Sequence, residues 1–93
     1  MESEQFHRIA KALGDRRRFE LFSRIAQESE MACAVLVEEF PIGQATISHH
    51  LRELTETGLL QTRREGKFAY LRVDAGTYRE YLDELAKRVL PAR

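Results

Sequence analysis

Two adjacent histidines, His49 and His50, lie in the run ISHHLREL, and a single cysteine, Cys33, stands upstream of them. These are residue types from which metal sites and nucleophile–base pairs are assembled. The spacing argues against both. Neighbours on a helix do not face each other, so the two imidazoles cannot close on one ion unless the helix breaks. One cysteine supplies neither an internal disulfide nor a thiolate cage. No nucleophile, base and orienting group recur at a workable spacing, and no glycine-rich loop is present to cradle a phosphate. The expectation is a protein with no catalytic residue, metal or cofactor, and not an enzyme.

The direction of the histidines carries more information than their identity. At about 100° per residue, Ile47, Leu51 and Leu54 share a narrow apolar arc, while Ala45, Thr46, Ser48, His49, Arg52 and Glu53 occupy the opposite one. His49 then points away from the core, and His50 sits on the shoulder beside Leu54. A small, polar outward arc, preceded by a short helix and a tight turn, suits a helix that enters the major groove. A solvated helix face has the same make-up. The basic residues Arg63, Arg64 and Lys67 that follow favour the first reading, because a cationic hairpin tip can lie along phosphates.

The elements that position these residues follow from apolar periodicity. Phe6, Ile9, Ala10 and Leu13 mark a helix over 3–13 that Gly14 stops, and Asp15 caps a second helix running to about Gln27. A third helix is expected over Met31–Phe40, with Cys33, Leu36, Val37 and Phe40 on one stripe before Pro41 and Gly43 break it. That placement makes Cys33 a small core hydrophobe rather than a redox switch. The fourth helix spans Gln44–Thr57. After it the period falls to two: LQTRR and FAYLRV read as strands joined by a Glu65-Gly66-Lys67 turn. A last helix over Gly76–Leu90 carries Tyr78, Tyr81, Leu82, Leu85 and Val89. The fold class is mainly α with a β-hairpin wing, in the order α-α-α-α-β-β-α.

All 93 residues fit one domain, residues 1–93, of a size often completed by a second copy. The terminal helices each carry an apolar stripe that a small core cannot obviously absorb twice. A homodimer is therefore expected through Phe6, Ile9, Leu13, Tyr78, Tyr81, Leu82, Leu85 and Val89. Zero formal net charge argues against indiscriminate coating of nucleic acid, yet residues 7–24 and 52–72 are enriched in Lys and Arg. With no long apolar run or leader, the chain reads as cytoplasmic, with no membrane partner.

The segments KALGDRRRFELF and QATISHHLRELTETGLLQTRREGKFAYLRV together resemble the ArsR/SmtB family of bacterial winged helix-turn-helix repressors over nearly the whole chain. The resemblance implies a homodimeric, sequence-specific repressor bound to a double-stranded DNA operator and released by a signal. It places the recognition positions on Gln44, Thr46, Ser48, His49 and Arg52, the wing on Arg63, Arg64 and Lys67, and the dimer surface on the first and last helices. Of the family's Asp-Pro-Thr-Arg run, Asp15 and Arg18 are retained, so Arg18 joins the DNA-facing set. Arg16 and Arg17 read either as extra phosphate contacts or, through Arg16–Glu20 and Glu20–Arg24, as part of an ion-paired helix face. The thiolate motif of the family's metal sensors appears as Glu30-Met31-Ala32-Cys33-Ala34, with alanine at both ligand positions, and residues 74–93 contain no histidine or cysteine. Metal sensing is not expected, and no inducer is named by the sequence. The alternative is a winged-helix module kept for protein binding or dimerisation without specific DNA binding.

Overall fold

The computed structural model describes Met1–Pro91; residues 92 and 93 of the expected domain lie outside the described residues. Helices α1 (Ser3–Leu13) and α2 (Arg16–Ala26) form where the apolar spacing places them. The Asp15 carboxylate accepts the Arg18 backbone N–H at 2.9 Å and so satisfies one of the unpaired donors of the first turn of α2. The same bond holds the Asp15 carboxyl below its ordinary pKa.

The third helix is shorter than expected. Met31 and Ala32 form a strand, β1, and helix α3 begins only at Cys33 and ends at Glu39. Helix α4 follows over Gln44–Glu56, with Gly43 at its N-cap. Gly58, at φ +90°, turns the chain out of α4 through a conformation that only glycine adopts without strain.

Strands β2 (Leu60–Glu65) and β3 (Phe68–Val73) pair antiparallel, and β1 adds to the free edge of β3, giving a three-stranded sheet in the order β1-β3-β2. The observed order is therefore α-α-β-α-α-β-β-α. The hairpin loop has two residues rather than three: Glu65 is opposite Phe68, and Gly66, at φ +60°, supplies the left-handed turn with Lys67. Helix α5 (Ala75–Val89) starts at Asp74, whose carboxylate accepts the Thr77 N–H at 3.0 Å and the Gln61 Nε2–H at 2.9 Å, tying the base of the hairpin to the last helix.

Among the described residues, fifteen buried apolar side chains form one core, drawn from the helices and the sheet. The terminal helices contribute more to it than their stripes suggested. Ile9 is fully enclosed, and Phe6 and Tyr81 are nearly so, with their rings 5.3 Å apart. These three residues, expected at the subunit surface, close the protomer's own core, because α1 and α5 pack on each other within one chain. Leu13, Tyr78 and Leu85 are half-buried, whereas Leu82 and Val89 stand exposed at 43% and 66%. The apolar surface left open lies mainly along α5.

Candidate nucleic-acid interface

The geometry of α4 follows its periodicity. Ile47 and Leu54 are fully buried and Leu51 nearly so, which turns Gln44, Thr46, Ser48, His49 and Arg52 to solvent. The histidines part company as their positions require. His49 is exposed, while His50 is 8% exposed and its Nδ1 accepts the Nε–H of Arg18, on α2, at 3.3 Å. Arg18 is thus half-buried and in part a brace between α2 and α4.

That bond requires His50 Nδ1 to be unprotonated. Burial pushes the His50 imidazole below its ordinary pKa of 6.5; Arg18, His49 and Arg17 act in the same direction, and Asp15 opposes them. Since the folded protein takes up this proton less readily than the unfolded chain, the His50 contribution to stability is present above pH 6.5. It declines as the pH falls through 6.5 toward the lower folded value. Thermal melts between pH 7.5 and 5.5 should show a falling midpoint for the parent and a flatter dependence for His50→Leu. Equal slopes would exclude His50 as the group responsible.

The wing residues separate onto two faces. Cross-strand partners share a face, so Arg63 lies with Tyr70, and Arg64 with Ala69. On the outer face, Arg63 donates to both carboxylate oxygens of Glu30, at 3.1 and 2.7 Å, and to Glu65 at 2.7 Å, and its guanidinium lies 4.5 Å from the Tyr70 ring centre. The Arg63 hydrogen bonds in turn hold the Glu30 carboxyl below its usual range. Arg63, expected as a phosphate contact, is half-exposed and paired with two carboxylates beside an aromatic face, so a phosphate would have to compete with Glu30 and Glu65 for it. Arg64 is free of such partners among the described residues and points to the α4 side. There it shares a cleft of about 370 Å³ with Ser48, Arg52 and Cys33, over a floor of Leu51 and Leu71. Lys67 is exposed at the tip, 5.6 Å from the Phe68 ring centre.

Cys33 is half-buried in the wall of this cleft, and burial pushes its thiol pKa up despite the nearby Arg64 charge. It is protonated at neutral pH and a poor nucleophile. Among the described residues, no three His, Cys, Asp or Glu side chains converge as metal ligands, and no helix is long and apolar enough to cross a membrane.

Two carboxylates that position the candidate interface lie outside the set expected from the sequence. Glu30, which holds Arg63, sits in an acidic turn, and only the pairing of β1 with β3 brings it to the wing. Asp74 was readable: an Asp three residues before Thr77 at the start of an apolar stripe is a cap signal. The ion pairs on α2 also differ from expectation. Glu20 meets Arg17 at 3.5 Å rather than Arg16 or Arg24, because Arg24 is drawn to Glu39 at 2.7 Å and to Glu28 at 3.2 Å.

Comparison with known proteins agrees with this fold. Residues 13–63 match the family described as a helix-turn-helix domain. The chain is 32% identical over 84 residues to the arsenic resistance transcriptional regulator ArsR1 of Pseudomonas putida, covering 90% of this chain and 65% of that protein, so it spans just under two thirds of that relative's length. It is 33% identical over 67 residues to an uncharacterized HTH-type transcriptional regulator of Methanocaldococcus jannaschii, covering 72% of this chain and 75% of the relative. Among solved structures, the homodimeric winged helix-turn-helix DNA-binding domain of a possible ArsR-family transcriptional regulator from Mycobacterium bovis superposes with a TM-score of 0.74. The sequences are 28% identical, and the match covers 95% of this chain and 83% of that one.

Proposed function

Because the chain belongs to the ArsR family of winged helix-turn-helix transcriptional regulators, we propose that it acts as a homodimeric repressor that reads an inverted-repeat operator with α4. The observation that carries this reading is the exposed polar arc of α4, bordered on the hairpin side by Arg52 and Arg64. In this reading Gln44, Thr46, Ser48, His49 and Arg52 meet base edges and nearby phosphates, while Arg64 and Lys67 fix the register along the backbone. Arg18 contributes a phosphate contact and braces His50. Arg63 is left out of the DNA-facing set. The exposed face of α5 joins two copies, and a two-fold dimer calls for half-site centres about 34–36 Å apart, or a multiple of that. The site of action is the cytoplasm, where the operator is, and no catalytic step is involved. Loss of the two sensor thiolate positions argues against a trigger of that metal-binding kind.

Selection of bound sequences from random duplexes would supply the operator for the test. His49→Ala should then cost on the order of 1–3 kcal/mol on the cognate site and much less on random DNA. Arg64→Ala and Lys67→Ala should weaken cognate and random duplexes alike and make the salt dependence shallower by about one unit for each phosphate no longer neutralised. Arg63→Ala should do so less. His50→Ala should lower the melting temperature before it alters base preference. If His49→Ala discriminates like the parent while His50→Ala loses discrimination, the assigned roll of α4 is wrong.

A further inference from the structure

The hairpin covers only one flank of α4. On the other flank, α1, α2 and α4 enclose a second cleft, of about 320 Å³, lined by Arg8, Lys11, Arg18, His49, Glu53 and Thr57 among others. We propose that this cleft holds a backbone phosphodiester of the DNA strand opposite the one gripped by the wing, with Lys11 and Arg18 as its cationic ligands. The proposal rests on the reading of α4 as the groove-entering helix.

An α-helix with its side chains is about 10–12 Å across, and the major groove is about 12 Å wide, so a helix seated there has a phosphate rim on each side. Arg64 and Lys67 face one rim. The second cleft faces the other, with His49 of the reading arc on its edge.

The charges around the cleft are unequally committed. Arg8 is engaged by Glu56 at 3.5 Å. Arg18 commits its Nε–H to His50, which aims the guanidinium while leaving its terminal N–H groups without a partner among the described residues. Lys11 is exposed and has no ion-pair partner among the described residues. Among the described residues Glu53 is the one carboxylate in the lining, so two uncommitted cations face one acid. That balance suits a monoanionic phosphodiester held at modest strength. Lys11 lies in α1, outside the segment from Arg16 to Lys67 that carries every other proposed DNA contact.

The test compares the parent with Lys11→Gln, Lys11→Arg and Glu53→Gln on cognate and random duplexes between 50 and 200 mM salt. Removing one phosphate ligand from each subunit releases two phosphates per dimer. Lys11→Gln should therefore make the salt slope shallower by about two units, narrowing the affinity change across that range by about tenfold on both duplexes, with the ranking of sequences unchanged. Lys11→Arg should keep the parent slope, and Glu53→Gln should bind both duplexes more tightly. Inorganic phosphate at matched ionic strength should compete no better than chloride; stronger competition that Lys11→Gln abolishes, without a change in duplex binding, would mark a free-anion site and overturn the proposal. A parent that binds duplex while Lys11→Gln retains its slope would overturn this inference alone, whereas a parent that binds no duplex would remove the underlying reading as well.

Discussion

Replacing Leu82 and Val89 together by glutamate should leave the protein folded, monomeric, and weaker on a palindromic operator by about 10²–10⁴-fold, while a single half-site duplex is bound nearly as before. The two side chains lie on α5 and are exposed at 43% and 66%, beside Leu90 at 65%. They are not needed to close the core, since Phe6, Ile9 and Tyr81 already do so from within the chain. Carboxylates are therefore tolerated in the monomer. In a two-fold interface each would meet apolar surface or its own symmetry mate, at the cost of a desolvated, unpaired charge. Linking two half-site contacts makes the second one intramolecular, and that advantage disappears with the dimer. Sedimentation at tens of micromolar and binding to full and half operators would check both parts. A double variant that still sediments as a dimer would place the subunit interface elsewhere.

Leu54→Ala should cost about 2–5 kcal/mol of unfolding free energy, against less than about 0.5 kcal/mol for Ser48→Ala six residues earlier on the same helix. Leu54 is fully enclosed between α4 and its neighbours, so truncation both forfeits transfer free energy and opens a cavity. Ser48 has no such role, as it lies on the exposed arc. Denaturant unfolding at fixed protein concentration, needed because association contributes to apparent stability, would measure both. A Leu54→Ala cost below about 1 kcal/mol would mean that this face of α4 is not packed as described.

The contrast between Ser48 and Leu54 was available from the chain alone. A 3.6-residue period divides Ile47, Leu51 and Leu54 from Ser48, His49 and Arg52 whatever lies around the helix, and it also divides His49 from His50. The Asp15 cap, the stop at Gly58 and the period-two strands are local in the same sense, because each depends on backbone groups within a few residues. The features that local periodicity left open all depend on partners distant in sequence. Met31 and Ala32 carry helical spacing, yet they become β1 because the edge of β3 offers Leu71 and Tyr70 as pairing partners. Phe6, Ile9 and Tyr81 read as a stripe in search of a cover, and a stripe does not state whether the cover comes from its own chain or another. The wing shows the sharpest dependence. A three-residue turn at Glu65-Gly66-Lys67 would have set Arg64 opposite Phe68; the two-residue turn sets it opposite Ala69. Side chains alternate at every step of a strand, so that single residue of register exchanges the faces of Arg63 and Arg64. One arginine is thereby carried to Glu30 and the other to the flank of α4. The sequence determined that the hairpin would be basic; the packing of Leu60 and Leu71 against the core decided which of its arginines meets Glu30 and which faces α4.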